Sequence, residues 1–81
     1  MTEKDVAAVA ALIPMAIELP EMKNEFVSLA RFVKNHIPDT DLQNILNTAI
    51  AFAVTTDKVE PHIIEMIHDH LIDNYKMTPL Y

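Results

Sequence analysis

The stretch from Val6 to Leu19 constrains the fold of this chain more than any other. It reads VAAVAALIPMAIEL, and its first twelve residues carry no charged or hydrogen-bonding side chain. Such a segment must lie against apolar surface, because leaving it in water is unfavourable. It is too short to cross a bilayer, which takes about 20 apolar residues, and Pro14 and Glu18 interrupt it. We therefore expect a buried first helix that is kinked or split at Pro14.

The absence of glycine favours helices over strands for the rest of the chain. Tight hairpins commonly place glycine at positive φ, whereas these 81 residues contain 5 prolines and no glycine. A chain of this length forms one domain at most, and 51% hydrophobic residues are typical of a packed protein. The sequence predicts an all-α fold: a compact four-helix bundle in a single domain, residues 1–81, with a short apolar tail at residues 77–81.

Prolines and capping residues predict where each helix begins and ends. The first helix is expected to begin at Glu3 and to kink or end near Leu12 or Ile13, and the second to run from about Pro20 to Asn35. The third is expected to start at Asp39–Asp41 and to fade at Val54–Thr56, and the last to follow an Asp57 cap, with Pro61 in its first turn, and to run to about Tyr75. Thr2 is the expected cap of the first helix. The pairs Thr40/Gln43 and Asp57/Glu60 have the spacing of a capping box, which predicts that each pair opens a helix.

Apolar residues at helical spacing predict which side of each helix faces the core. The expected inward residues are Val6, Val9, Ala10, Ile13 and Ile17 in the first helix, Met22, Phe26, Leu29, Ala30, Val33 and Ile37 in the second, Leu42, Ile45, Leu46, Ala49, Phe52 and Ala53 in the third, and Ile63, Ile64, Ile67, Leu71 and Tyr75 in the last. Leu12 and Met15 point away from the first stripe.

The charge balance limits the class of partner. Six Lys and Arg face twelve Asp and Glu, a formal net charge of −6. Nucleic acids and anionic membranes both attract basic surfaces, so neither is an expected partner. Cysteine is absent, which is compatible with a reducing compartment, and the first residues do not resemble a secretory signal. We expect a cytoplasmic protein.

The residue types that enzymes commonly need are scarce. There is no cysteine, and the only serine, Ser28, lies within a predicted helix. Without glycine the chain has neither a phosphate-binding loop nor a dinucleotide fingerprint. We therefore expect no catalytic residue and no cofactor, and interpret the protein as one that acts by binding.

The last helix offers one candidate metal site. His62, Glu65 and His68 lie three residues apart, and imidazole and carboxylate ligands suit divalent metals such as zinc. Glu65 and His68 match the Glu-x-x-His unit of di-iron helical bundles, although no second unit exists here. A metal-binding or metal-sensing bundle is therefore an alternative hypothesis. A pH-sensing role for the histidines of this helix is another.

The favoured hypothesis is a small protein–protein interaction or regulatory module that binds a protein partner. If three short helices cannot cover the first helix, Leu12, Met15 and Phe32 form a contact surface, and the protein is a homodimer. A further alternative is an inhibitor or immunity-type protein, in which the acidic face of the last helix covers a basic site on its partner.

Overall fold

The protein consists of four α-helices joined by short connections. The computed structural model describes residues 3–77, and within that range it contains no strand. The helices are α1 (Glu3–Ile17), α2 (Leu19–His36), α3 (Thr40–Thr56) and α4 (Pro61–Tyr75). The all-α fold predicted from the sequence is confirmed. Helices α2 and α3 begin and end within about one residue of the predicted bounds, whereas α4 begins about three residues later than a helix capped by Asp57 would.

The helices form an antiparallel bundle in which α1 and α3 each pack against both α2 and α4. Two contacts show that α2 and α3 run in opposite directions. Lys23, near the start of α2, bonds to Asp57, which follows the end of α3, and Lys34, near the end of α2, bonds to Asn47 in the middle of α3. One continuous core lies between the four helices, and its fully buried members include Phe26, Leu46 and Ile67. No helix within residues 3–77 is both long enough and apolar enough to span a bilayer.

The first helix is not split at Pro14. Helix α1 runs without interruption from Glu3 to Ile17, with Pro14 inside it. Proline removes one backbone donor, but an exposed proline leaves the affected carbonyl close to water, so the helix can continue. The chain instead breaks at Glu18 (φ −103°, ψ 27°), and the backbone of α2 is distorted again at Met22 (φ −112°, ψ 16°).

The face of α1 that enters the core differs from the predicted one. Val9 and Leu12 are completely buried and Ile13 nearly so, whereas Ile17 is 82% exposed. The prediction that Leu12 points away from the core and Ile17 points into it is therefore wrong. The error has a physical source: a helix that is apolar nearly all round has no polar side to mark which direction faces solvent.

In the other helices most of the predicted inward residues lie in or against the core, with Phe52 the main departure. Its side chain is exposed, while Val27 and Ile50, which the stripes did not include, are buried. The predicted residue Met22 is only partly buried. These differences widen the inward faces of α2 and α3, because each helix packs against two neighbours and not one.

Both predicted capping boxes are wrong in detail. Helix α3 is capped by Asp39, whose carboxylate accepts a hydrogen bond from the Leu42 amide at 3.0 Å, and the Gln43 side chain donates to the carbonyl of Ile37. Asp57 does not open α4 but closes α3, in the left-handed conformation (φ 55°). Glu60 is the N-cap residue of α4 without a side-chain capping bond. The predicted Thr2 cap lies outside the described residues.

Helix α4 ends in a turn that returns the chain to the core. Lys76 has φ 55° and ψ 31°, and the Met77 amide donates to the carbonyl of Leu71 at 3.3 Å. The partly buried Met77 side chain packs against the core as a result. Met77 begins the apolar tail predicted from the sequence, and residues 78–81 of that tail lie outside the described residues.

Candidate functional site

An apolar hollow opens where the end of α1 meets the start of α4. It is lined by Ala16, Ile17, Val59, Pro61 and Ile64 and has a volume of about 200 Å³. Ile17 ends α1 and Pro61 begins α4, so the antiparallel packing of these helices brings them together. Val59, in the connection between α3 and α4, is buried and forms part of the wall. We call this feature the α1–α4 hollow.

Ile17 is the most exposed large apolar residue of the part of the chain that the structure describes. It lines the α1–α4 hollow and also a second, shallower depression of about 290 Å³ formed with Glu18, Pro20 and Glu21. A scattered exposed apolar residue is ordinary on a protein surface. An isoleucine at the junction of two concave surfaces is a more specific feature, because concave apolar surface is where binding sites form.

Carboxylates lie near the α1–α4 hollow. Glu18 and Glu21 line the neighbouring depression, and Glu60 lies between two lining residues of the hollow. Glu18 and Glu60 occupy N-cap positions, but neither side chain makes a capping hydrogen bond. Their charges are exposed to solvent and available to a partner.

A second groove lies between α3 and α4. It is lined by Asn44, Ile45, Thr48, Ile63 and Met66 and has a volume of about 170 Å³. Two of its five lining residues are polar, and the Thr48 hydroxyl donates to the carbonyl of Asn44 within α3. This groove is similar to the α1–α4 hollow in size and its exposed lining is at least as apolar. The hollow is the stronger candidate because Ile17, which lines it, is 82% exposed, against 43% for Met66 in the groove.

A polar cluster joins the start of α3 to the end of α4. The Asp39 carboxylate accepts hydrogen bonds from His70 Nε2 at 2.7 Å and from the Tyr75 hydroxyl, in addition to the Leu42 amide. Partial burial by itself raises the pKa of Asp39, but the bonds from Tyr75, His70 and Leu42 outweigh it and hold that pKa at about 2. The bond to Asp39 raises the pKa of Tyr75 to about 12, helped by its partial burial.

The groups in the Asp39 cluster are engaged with one another. Both carboxylate oxygens accept hydrogen bonds, and the other ring nitrogen of His70, Nδ1, faces Asn74 Nδ2 at 3.4 Å. An ionised carboxylate that accepts three hydrogen bonds is strongly stabilised in its charged form. These hydrogen bonds link the start of α3 to the end of α4, and we infer that the cluster stabilises the fold and does not bind a ligand.

The three predicted metal ligands do not form one site. His62 and Glu65 are exposed on α4, whereas His68 is only 3% exposed and belongs to the core-facing side. Six residues along a helix correspond to a rotation of about 240° from His62 to His68, so the two rings point in different directions. Within residues 3–77 no group of three or more His, Cys, Asp or Glu is arranged to hold a metal ion. The geometry therefore does not support this prediction.

The predicted contact surface of Leu12, Met15 and Phe32 does not exist as one patch. Leu12 has no exposed area, and Met15 is partly buried against the core. Phe32 is 59% exposed and stacks on the His36 ring, with 4.2 Å between ring centroids. Since α2 starts beside the end of α1, Phe32 lies roughly 20 Å along the axis of α2 from that junction.

Sequence reasoning missed both the hollow and the Asp39 cluster. The signal for the hollow was weak, because Ile17 looked like one more inward residue of an apolar run. Asp39 was recognisable as a helix-start residue, but no spacing rule connects it with His70, which lies 31 residues further along the chain. Only the packing of α3 against α4 brings them together.

Comparison of the chain with models of protein families, with curated proteins and with solved structures found no match.

Proposed function

We propose that this protein is a small interaction module that binds a protein partner through the α1–α4 hollow. The single observation that carries the proposal is the position of Ile17, which is 82% exposed and lies at the mouth of an apolar concave surface. Burying an isoleucine side chain that was exposed is favourable by about 1.5–3 kcal/mol, which is enough to anchor a contact.

The size of the hollow supports a protein partner over a small-molecule ligand. Pockets that enclose drug-sized ligands and cofactors have volumes of roughly 300–1,000 Å³. The α1–α4 hollow, at about 200 Å³, is smaller and suits one or two apolar side chains from another protein. Binding sites of this kind commonly have an apolar centre and a polar rim, and here exposed carboxylates lie near the apolar surface.

The expectation of a homodimer has lost its main support. It rested on the idea that α1 exposes one apolar face, but Val9 and Leu12 are fully buried by the neighbouring helices. A homodimer stays a prediction, which sedimentation equilibrium tests against a monomer mass of 9.2 kDa. We keep the cytoplasm as the proposed compartment because the chain has no cysteine.

A comparative pull-down from cells of the native host tests the proposed function. The wild-type chain and two variants, Ile17→Ser and Val54→Ser, are used as baits at equal concentration. Val54 is a matched control because it is a β-branched residue that is 51% exposed on α3, outside the hollow. We expect a partner that Val54→Ser retains and Ile17→Ser loses. Equal capture of every protein by all three baits would contradict the proposal.

A further inference from the structure

We infer that the α1–α4 hollow receives a cationic apolar segment of its partner: an apolar side chain that enters the hollow, flanked by Lys or Arg. This inference rests on the proposed function and adds the chemistry of the partner. Two features of the surface support it, the apolar lining of the hollow and the sign of the charge near it.

Carboxylates outnumber basic groups at this end of the bundle. The carboxylates on or next to the segments that form it are Glu18, Glu21, Asp57, Glu60 and Glu65. The nearby basic side chains in the same segments are Lys23 and Lys58, and Lys23 is bonded to Asp57. The remaining excess is negative, and it attracts a positively charged segment.

Helix dipoles do not reverse this sign. The N-termini of α2 and α4 lie at this end, and each contributes roughly half a positive charge. The C-termini of α1 and α3 lie at the same end and contribute roughly half a negative charge each. The two pairs offset each other, so the side-chain charges determine the local potential.

The same charges disfavour a second copy of this chain as the occupant. A two-fold symmetric interface places the same patch of both subunits together. Such an interface centred on Ile17 would bring Glu18, Glu21 and Glu60 close to their own copies, and like charges across an interface are repulsive. A partner with Lys or Arg beside its apolar anchor instead pairs with these carboxylates while the anchor fills the hollow.

Three synthetic peptides of about three helical turns test the inference. The first has Leu at positions three and four apart and Lys elsewhere, the second has Glu in place of each Lys, and the third has Ser in place of each Leu. Titration of the isotopically labelled protein, followed by NMR shifts, gives both affinity and location. We expect the Leu/Lys peptide to bind at least about tenfold more tightly than the others, with shifts centred on Ile17, Val59 and Ile64.

Matched variants separate the apolar and charged contributions. Ile17→Ser should weaken Leu/Lys binding by about tenfold or more, and Val54→Ser should leave it unchanged. The combined change Glu18→Gln, Glu21→Gln, Glu60→Gln should weaken binding several-fold. The control of equal charge, Glu25→Gln, Asp69→Asn, Asp73→Asn, replaces exposed carboxylates outside this end and should have a smaller effect. Higher salt should weaken binding to the wild type.

The unfavourable outcomes are distinguishable. Equal affinity for the Leu/Glu and Leu/Lys peptides would overturn the cationic partner and leave the interaction module in place. Equal affinity for the Ser/Lys and Leu/Lys peptides would show that charge alone binds, and would overturn the hollow as the site. Binding by none of the peptides would overturn the inference that a cationic segment occupies the hollow. The pull-down would remain as an independent test of the interaction module. A homodimer that Ile17→Ser dissociates would identify a second copy as the occupant and overturn the inference.

Discussion

The Asp39 carboxylate accepts a hydrogen bond from His70 Nε2 at 2.7 Å, across 31 residues of sequence, while it also caps α3. One side chain therefore satisfies one of the unpaired backbone amides at the start of α3 and also links α3 to α4. The side chains of Asp39 and His70 are only 17% and 14% exposed, so their bond is partly shielded from water. It is worth more than an ordinary surface ion pair.

Replacing Asp39 with Ala should be among the more destabilising changes at a polar residue of this protein. It removes an N-cap worth about 1 kcal/mol and the charged acceptor of His70 and Tyr75. One hydrogen bond to a charged group is worth about 1.5–3 kcal/mol, and partial exposure to water keeps the two bonds together below the sum of their separate values. We expect a loss of about 2–4 kcal/mol in the free energy of unfolding, measured by urea denaturation. Asp39→Asn keeps a capping oxygen and should lose less. A loss below about 0.5 kcal/mol for Asp39→Ala would show that the Asp39 cluster contributes little.

Stability should fall at acid pH through Asp39. Its pKa is about 2 in the folded protein against an ordinary value of 3.8, so the folded state binds the proton less tightly than the unfolded state. The contribution is complete above about pH 5 and is lost as the pH falls towards 2, and it amounts to about 2 kcal/mol. Urea denaturation at several pH values should give a shallower acid decline for Asp39→Asn than for the wild type. Parallel declines would contradict the assignment.

Stability should fall at alkaline pH through Tyr75. Its pKa is raised from 10.0 to about 12, because its hydroxyl donates to the ionised Asp39. The folded state therefore holds this proton more tightly, and the stabilisation is complete below about pH 10 and is lost as the pH rises towards 12. The chain has two tyrosines, so Tyr81→Phe leaves Tyr75 as the only tyrosinate chromophore. Its absorbance should titrate above pH 10 when folded and near 10 in urea; identical titrations would rule out the bond.

Much of the architecture follows from the sequence because the relevant physics is local. The absence of glycine predicted helices, and the position of Pro20 predicted the start of the second one. The apolar stripes of the last three helices predicted most of the core, because each of those helices also has a polar side. The polar side of an amphipathic helix marks the direction that faces water.

The features that escaped prediction depend on tertiary packing. The run that contains Leu12 and Ile17 is apolar in every direction, so only the positions of the other helices decide which residue is buried. The bond between Asp39 and His70 likewise requires α3 to lie antiparallel to α4 at a particular register. Neither property is encoded in a short sequence window, which is why periodicity and capping rules could not supply them.

The end of α4 offers a stabilising change. Lys76 adopts the left-handed conformation that glycine normally occupies after a helix, at a cost to an L-residue of roughly 1–2 kcal/mol. Lys76→Gly removes that conformational cost from the folded state. Glycine also increases the entropy of the unfolded chain, which offsets part of the stabilisation, so we expect the free energy of unfolding to rise by about 0.5–1 kcal/mol. Lys76→Ala removes the same charge but keeps the Cβ, and it should not stabilise. Equal effects of the two changes on urea denaturation would contradict the backbone explanation.

Two substitutions in α1 decide which face of its apolar run supports the fold. Leu12 is fully buried, so Leu12→Ala should leave a cavity and cost about 2–5 kcal/mol. Ile17 is 82% exposed at the last position of the same helix, so Ile17→Ala should change the free energy of unfolding by less than about 0.5 kcal/mol. Urea denaturation of both variants measures the contrast. The reverse order would place Ile17 in the core and remove the apolar wall of the hollow; the expected order leaves Ile17 without a role in stability and available for a partner.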